Sequence, residues 1–421
     1  MQKTFVPLFL SVCLTLGCGP NELAQDYPEA FTVEAENTLS LNRPDASIRI
    51  GLREIRDAAP DFNPKAFVTF AGGLEIPSQS VDADADGDPE AIVLNADFAA
   101  SEGKTFTIRY APNGEKRRDY VQRAHAELSI KTGGEFVDRV YQGGDFQDVN
   151  FLSVPKEHTD HSLYIRYEGP GWESDKVGYR FYLDWRNATD IFGKKIPDMV
   201  LPHVGLDGFE SYHEMSDWGM DILKVGESLG IGSPGIWLGD HAQRIAETDS
   251  VTSRILEDGP VFARIRTRYF GWQAGSAKTD VISDLSITAG SRMTCQDLRL
   301  TKNLPNLCTG IVKHEKAGLI ESNPDSGWAY LAIYGPQSLN DDDLGMAVLY
   351  RTRDLIRITE DAHSHVVVLR PEGGSLTYYF LAAWAQEPGG IRSEESFVRY
   401  LEDTVRKLNK PIQIQIRSPQ S

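Results

Sequence analysis

The chain has 421 residues, of which 41% are hydrophobic and 10% aromatic, so it is long enough for roughly two or three domains and too apolar to be disordered. Its formal net charge of -18 argues against a general affinity for nucleic acid or anionic membranes. A site for an anionic ligand therefore has to be a local basic patch on an acidic protein.

Residues 1–18 are typical of an export signal. Lys3 supplies the positive start, and the apolar stretch 5–16 is too short to span a bilayer. The segment ends in Leu-Thr-Leu-Gly-Cys, which is similar to a bacterial lipobox with Cys18 as the lipidated residue, although Thr15 stands where the pattern prefers leucine. The sequence predicts a lipid-anchored protein of the periplasm or outer membrane of a Gram-negative bacterium; the alternative is a plain secretory signal.

Besides Cys18, the mature chain keeps only Cys295 and Cys308. In an oxidising compartment these two can close one disulfide, which would add about 3 kcal/mol by loop entropy. Neither has a histidine close in sequence, so a thiol nucleophile is not indicated.

Residues 19–30 form a polar linker, and residues 31–112 predict a small β-sandwich module. The short β-like stretches of this module are separated by Pro, Gly and Asn. Every histidine and every tryptophan lies at or after His125. We therefore assign a structural role to the module and the function to residues 113–421.

The module contains an aspartate-rich run that resembles the start of a calcium-binding EF-hand loop. Its candidate metal ligands are Asp82, Asp84 and Asp86. The twelfth position of the loop is Val93 instead of the bidentate glutamate that calcium needs. Because Asp and Gly also form turns, a hairpin turn is the favoured interpretation.

Beyond residue 113, polar and apolar residues alternate in many segments, which predicts a mainly β fold of large sheets packed face to face. Two such segments are Ser162–Glu168 and Val177–Arg186. Their alternation puts tyrosines and arginines on one strand face. This face is either the surface of a functional site or an ordinary solvated face of a sheet. The polar residues on these faces, with one from 123–130, are Tyr164, Arg166, Arg180, Tyr182 and His125.

A second polar stripe follows the predicted strand Val261–Phe270, where Arg264, Arg266 and Arg268 recur at every second position. Like charges on one strand face repel, so the stripe needs acidic partners on neighbouring strands or an anionic ligand. The sequence leaves both open.

One helix is predicted near the end of the chain. Ser393 is a suitable N-cap, and Pro411 ends the helix. The apolar stripe of this helix consists of Phe397, Leu401, Val405 and Leu408.

Exported β proteins rich in Trp, Tyr and Arg commonly handle carbohydrate, and a uronic acid can be cleaved by β-elimination without a cofactor. The enzyme has to neutralise the carboxylate, remove the C5 proton and protonate the oxygen that leaves C4. His213 or His125 would remove the proton, Tyr182 would protonate the leaving group, and Arg166 and Arg180 would hold the carboxylate. The candidates for contacts with the acidic oligosaccharide are Trp172, Tyr164, His161, Arg264, Arg266 and Trp218.

The segments EHTDHSLYIRYEGPGWESDKVGYRFYLDWRNATDIFGKK and SYHEMSDWGMDILKVGESLG resemble a family of exported bacterial proteins of unknown function that is found beside polysaccharide-degrading genes. A branch of that family is an oligosaccharide dehydratase acting on ulvan fragments, which leaves a 4,5-unsaturated sugar from a terminal glucuronate or iduronate. The resemblance covers most of the mature chain. It implies the β-supersandwich of the galactose-mutarotase-like superfamily, but it assigns no catalytic residue.

The leading hypothesis is therefore a dehydratase that removes water across C4 and C5 of a non-reducing-end uronic acid. One alternative is a polysaccharide lyase, and another is a sugar-capturing lipoprotein without activity. A further alternative is a glycoside hydrolase with two carboxylates, for which the candidates are Glu173, Asp175, Glu214 and Asp217.

Overall fold

Strands make up about half of the computed structural model, which describes residues 23–322 and 327–418. Cys18 and the predicted export signal lie outside these residues, so lipidation and localisation remain predictions. Within the described ranges, no helix is both long enough and apolar enough to cross a bilayer.

The elements follow in chain order. The first part of the chain contains β1 (Glu29–Glu36), β2 (Arg43–Gly51), α1 (Leu52–Ala58), β3 (Phe67–Ala71), β4 (Leu74–Ile76), β5 (Ser78–Val81), β6 (Ala91–Phe98) and β7 (Gly103–Tyr110). The middle part contains β8 (Ala124–Glu127), β9 (Ser129–Val137), β10 (Val140–Asp148), β11 (Phe151–Ser153), β12 (Gly171–Ser174), β13 (Val177–Phe181), β14 (Thr189–Lys194), β15 (Gly219–Asp221), β16 (Gly235–Trp237) and β17 (Ala242–Arg244). The last part contains β18 (Ser250–Asp258), β19 (Phe262–Ala274), β20 (Ala277–Thr288), β21 (Met293–Leu300), β22 (Leu307–Val312), β23 (Gly318–Glu321), β24 (Trp328–Pro336), β25 (Asp343–Arg351), β26 (Leu355–Glu360), β27 (Ser364–Leu369), β28 (Ser375–Trp384), α2 (Glu394–Asn409) and β29 (Gln413–Arg417).

The leading module consists of two small sheets, with strand orders β29-β1-β7-β3-β4 and β2-β6-β5. Their facing sides share an apolar core that includes Phe31, Ile50 and Phe106, each at most 1% exposed. Strand β29 pairs with β1, so the module also contains a segment from far along the chain, which the sequence did not predict.

A nine-stranded antiparallel sheet, ordered β11-β18-β19-β20-β21-β28-β25-β24-β23, forms the centre of the larger part. One face of this sheet is buried, as β19 illustrates. Its residues Ala263, Ile265 and Tyr269 point into the main core, while the intervening arginines point to the other face. Two five-stranded sheets, ordered β15-β14-β13-β12-β8 and β17-β16-β22-β27-β26, contribute to the same core. The predicted mainly β fold is confirmed.

The predicted helix is also confirmed. It is α2, and the Ser393 hydroxyl accepts a hydrogen bond from the Ser396 backbone N–H at 3.2 Å, as an N-cap does. Phe397 and Leu401 are fully buried against the aromatic side chains of β24. The apolar stripe therefore fixes the helix on the nine-stranded sheet.

The predicted disulfide is wrong, because Cys295 and Cys308 are both free thiols. Cys295 lies on β21 of the nine-stranded sheet beside Tyr379, whereas Cys308 lies on β22 of a five-stranded sheet. The two cysteines are 13 positions apart in the sequence, yet they lie in different sheets of the fold.

The aspartate-rich run forms the connection between the paired strands β5 and β6, as the turn interpretation has it. The Asp82 carboxylate accepts hydrogen bonds from the backbone N–H groups of Ala85 and Gly87, both at 2.7 Å. Carboxylate oxygens of Asp82, Asp84, Asp86 and Glu90 lie within 4.8 Å of one another. The four carboxylates are therefore close together, but both oxygens of Asp82 already accept hydrogen bonds from the backbone of the turn.

Candidate functional site

One face of the sheet β15-β14-β13-β12-β8 is charged, although the sheet lies inside the molecule. The strand register places Arg180 opposite Asp190, and Glu127 and Asp221 on the same face. The opposite face carries Trp172 and other core residues. A sheet with one apolar and one charged side requires a second layer that satisfies the charges.

That second layer comes from the segments 158–170 and 196–218. Four residues other than glycine in the first segment have a left-handed backbone, with φ of 58° at His161, 59° at Leu163, 38° at Tyr167 and 72° at Glu168. The strand predicted at Ser162–Glu168 is therefore wrong, because such residues cannot continue a strand. Each costs about 1–3 kcal/mol, and strain of this kind concentrates at functional sites.

Arg180 is the centre of the charged face. Its guanidinium donates to the Asp190 carboxylate at 2.8 Å and to Asp221, and a further N–H donates to the Tyr212 hydroxyl at 2.9 Å. The Tyr182 hydroxyl also donates to Asp190. Burial, together with the neighbouring Asp221, raises the pKa of Asp190 to about 6.

This network corrects two predicted roles. Arg180 is 2% exposed and already neutralised by two carboxylates, so it is not available to hold a substrate carboxylate. The Tyr182 hydroxyl donates its proton to Asp190 and does not line the pocket described below, so it is not available to protonate a leaving group. The strand predicted at Val177–Arg186 in fact ends at Phe181, and Tyr182 follows in the turn before β14.

His213 lies at the open side of the same network. Its Nε2 atom is 3.3 Å from the Asp221 carboxylate, and its side chain is 43% exposed. The hydrogen bond to Asp221 raises the pKa of His213. Asp221 thus connects His213 with Arg180 and orients the imidazole.

Tyr212 stands beside His213, with 4.7 Å between the ring centroids. Burial raises the pKa of Tyr212 to about 12, so the phenol is protonated at neutral pH. Tyr212 is 2% exposed, and it lines the pocket described next. Its oxygen accepts a hydrogen bond from Arg180, and its own proton can be donated to another acceptor.

A small pocket opens between the two covering segments, with a volume of about 20 Å³, room for about one water-sized group. Its lining combines polar groups of His161, Glu168 and Tyr212 with the apolar faces of Tyr167 and Phe209. Although burial opposes the shift, Arg180 and Arg186 lower the pKa of Glu168 to about 2, so its carboxylate is ionised.

One group of residues near this pocket has metal-ligand chemistry. Ligand atoms of Asp160, His161 and Glu168 lie within 4.8 Å of one another, and the last two residues line the pocket. The Arg186 guanidinium already lies between the two carboxylates, at 3.1 Å from Asp160 and 2.9 Å from Glu168. A metal ion would have to displace this cation.

Arg166 and His125 share the carboxylate of Glu127. Arg166 and the Tyr167 hydroxyl both donate to Glu127, while His125 Nε2 lies 3.1 Å from it. The other His125 nitrogen is 2.8 Å from Asp258, and against the effect of burial these carboxylates raise the pKa of His125 to about 10. His125 is therefore a cation at neutral pH and not the predicted base.

The predicted carboxylate ligand Arg166 is likewise committed to Glu127, with 2% of its surface exposed. It nevertheless lies in the site. A Cβ atom built on Gly205 would be 3.3 Å from Tyr212, 3.4 Å from Tyr167 and 3.5 Å from Arg166. The fold thus brings Arg166, Arg180, Tyr182 and His213 into one region.

Most predicted sugar-binding residues lie elsewhere. Trp172 is a core residue that donates to Thr294 at 2.8 Å, and Arg264 and Arg266 are paired with Asp284 on the nine-stranded sheet. Tyr164 packs against Phe136 and Tyr141, each with 5.1 Å between ring centroids, and Trp218 packs against Phe192 under the covering segment. Of this set, His161 lines the pocket.

The hydrolase candidates are also separated from one another. Glu173 is fully buried, paired with Lys194 and bound to the backbone N–H of Leu201 at 2.8 Å. Asp175 accepts a hydrogen bond from Arg123 at 2.8 Å, whereas Glu214 and Asp217 are both exposed in the covering segment.

Sequence reasoning missed Asp190 and Tyr212 as site residues. An available signal was the position of Asp190 between the buried strand residues Thr189 and Ile191, since a charge flanked in this way needs a partner. Tyr212 carried no comparable signal apart from its place next to His213.

The sequence matches a family model described as "Domain of unknown function (DUF4861)" over residues 35–414. A comparison with curated proteins finds no match. Among solved structures, a protein in the Glycosyl Hydrolase Family 38 from Enterococcus faecalis has 9% identity and a TM-score of 0.45, covering 93% of this chain and 48% of that one. An alpha-mannosidase from Enterococcus faecalis V583 also has 9% identity and a TM-score of 0.45, covering 93% and 46%.

A candidate aldose 1-epimerase from Klebsiella pneumoniae has 12% identity and a TM-score of 0.30, covering 57% of this chain and 84% of that one. The chain spans about half the length of the two Enterococcus faecalis proteins. At these identities and overlaps the likenesses say nothing about activity.

Proposed function

This chain belongs to the DUF4861 family, a domain of unknown function, and from the neighbouring side chains of Tyr212 and His213 we propose that the protein is a carbohydrate-active β-elimination enzyme. The proposed reaction removes water across C4 and C5 of a non-reducing-end uronic acid on an anionic oligosaccharide. The adjacency of Tyr212 and His213 carries the proposal, because one side chain can give a proton and the other can take one.

In this reaction, neutral His213 takes the proton from C5, which is acidic because it is α to the carboxylate. The electron pair of the C5–H bond forms the C4–C5 double bond, and the C4–O bond breaks. Tyr212 gives its proton to the departing hydroxyl, which leaves as water. Asp221 stabilises the imidazolium that His213 becomes.

In this scheme, Arg166 and Arg180 bind side chains of the protein and do not bind the substrate carboxylate. Arg180 fixes the Tyr212 hydroxyl and the Asp221 carboxylate, and Arg166 fixes Glu127 beneath Tyr167. The uronate carboxylate is then left to a hydrogen bond from His161, which is 56% exposed at the rim of the pocket. No cofactor is required by this scheme.

Elimination is expected to increase with pH, because only neutral His213 can take a proton. Asp221 raises the pKa of His213 above its ordinary value, so kcat/KM should reach its plateau at a pH above about 6.5. The Asp221→Asn variant should shift the midpoint of the pH profile downwards. An unchanged midpoint in that variant would exclude His213 as the titrating base.

The Tyr212→Phe variant is expected to lower kcat by about 10²-fold with little change in KM, since it removes a proton donor needed only in the transition state. Tyr182→Phe is the matched control, because it removes a hydroxyl of the same network that does not reach the pocket. Steady-state kinetics of both variants provide the measurement. An equal loss of kcat in the two would contradict the assignment of Tyr212 as the acid.

The reaction itself is tested by incubating the protein with uronate-ended oligosaccharides, followed by mass spectrometry and ultraviolet absorbance. Elimination of water lowers the mass by one water per chain and creates an absorbing double bond. A lyase would also create the double bond but would shorten the chain, and a hydrolase would shorten it without new absorbance. Binding without any change of the sugar would leave a capture protein as the remaining alternative.

A further inference from the structure

A groove lies on the outer face of the nine-stranded sheet, at the edge formed by β11, β18 and β19. Its volume is about 360 Å³, within the range of about 300–1,000 Å³ that is usual for ligand sites. Six of its lining residues define what we name the arginine groove: Phe151, Thr252, Arg254, Arg266, Arg268 and Phe270. The inward face of β19 packs in the main core, so the groove and the Tyr212 pocket lie on different sides of that core.

The strand register concentrates positive charge in this groove. Arg254 on β18 is directly opposite Arg266 on β19, and Arg268 is two residues further along the same face. Side chains at such positions are neighbours, and like charges directly opposite one another are destabilising. The arrangement therefore needs negative charge from the protein or from a ligand.

The protein supplies only part of that charge. Asp284 pairs with three guanidiniums, those of Arg264 at 2.6 Å, Arg266 at 2.7 Å and Arg299 at 2.8 Å. Asp284 cannot balance three guanidiniums alone, although Glu257 lies opposite Arg264 in the strand register. A further carboxylate on the groove lining is that of Asp84, at the tip of the exposed β5–β6 connection.

Arg254 and Arg268 are exposed, and within residues 23–322 and 327–418 neither forms a hydrogen bond or an ion pair with another side chain. The guanidinium of Arg254 instead lies 5.0 Å from the ring centroid of Phe151. Phe151 and Phe270 are themselves 49% and 38% exposed, which is unusual for side chains of this size. The groove lining thus combines two exposed cations with two exposed aromatic rings.

We propose that the arginine groove binds the acidic groups, carboxylate or sulfate, of a saccharide chain. The planar guanidiniums of Arg254 and Arg268 would each make two-point contacts with such a group. Phe151 and Phe270 would cover the apolar faces of the sugar rings between the charges. This binding site goes beyond the proposed elimination and does not depend on it, because the catalytic side chains lie on the other side of the core.

The test is calorimetric titration of the full chain with three probes: a sulfated chondroitin oligosaccharide, an oligogalacturonate and a neutral cello-oligosaccharide. We expect binding of at least one acidic probe and none of the neutral one. The Arg254→Gln/Arg268→Gln variant should weaken binding at least tenfold, and Phe151→Ala should weaken it less. Comparison of the sulfated and the carboxylated probe identifies the preferred acidic group.

The matched control is Arg117→Gln/Arg353→Gln, which removes the same charge at two exposed arginines that do not line the groove. It should bind the acidic probes like the unchanged protein. Equal weakening in both double variants, or no binding of either acidic probe, would overturn the proposal. So would groove-dependent binding to phosphatidylglycerol vesicles without saccharide binding, which would make the groove a membrane contact.

Discussion

Replacement of His213 by alanine is expected to lower kcat by about 10³-fold, because the variant lacks the base that removes the C5 proton. The side chain is 43% exposed and lies 3.3 Å from the Asp221 carboxylate, so its removal exposes little apolar surface and breaks one half-exposed contact. The variant should therefore fold and unfold like the unchanged protein. The measurement is the initial rate of double-bond absorbance, with circular dichroism as the check on folding.

A histidine elsewhere on the surface provides a matched control for this substitution. His241 is 56% exposed and lies 2.7 Å from Asp240, so it repeats the histidine–aspartate pair outside the Arg180 network. His241→Ala should retain full activity. Comparable activity of His213→Ala and His241→Ala would exclude His213 from the reaction.

The Arg180→Gln variant is expected to lower the free energy of unfolding by about 3–5 kcal/mol, because it leaves buried carboxylates without their cation. Asp190 and Asp221 are each 1% exposed, and both accept hydrogen bonds from Arg180. The loss should exceed that of most single substitutions, which cost about 0.5–3 kcal/mol. Urea unfolding followed by tryptophan fluorescence gives the measurement.

Two further variants separate charge burial from general damage. Adding Asp190→Asn to Arg180→Gln removes one of the uncompensated charges and should recover part of the stability. Arg399→Gln removes an exposed arginine whose partner Glu395 is also exposed, and it should change stability little. A loss for Arg180→Gln no larger than for Arg399→Gln would contradict the view that Arg180 neutralises the charged face.

The His213 and Arg180 variants test residues with different roles in the site. His213 contacts the substrate in the proposed reaction, whereas Arg180 acts through Tyr212 and Asp221. His213→Ala should therefore lower activity with stability retained, and Arg180→Gln should lower stability as well. This difference distinguishes a catalytic from a positioning residue.

Local sequence signals predicted the strands and the helix well where one side of the element is apolar. The predicted strand Val261–Phe270 coincides with the first part of β19, and the helix capped by Ser393 is α2. Such patterns are local, because a side-chain period of two or of 3.6 follows from the backbone geometry of each element. The prediction failed at Ser162–Glu168, where alternation is present but left-handed residues break the strand.

What the sequence determined by itself is therefore the mainly β fold, the helix α2 and the presence of arginine, tyrosine and histidine in two neighbouring motifs. The tertiary structure decided which of those side chains are free to react. Arg180 is neutralised by Asp221, and His125 is held as a cation by Asp258, a residue more than a hundred positions away in the chain. Ionisation depends on distance in space and on burial, and neither can be read from the order of residues.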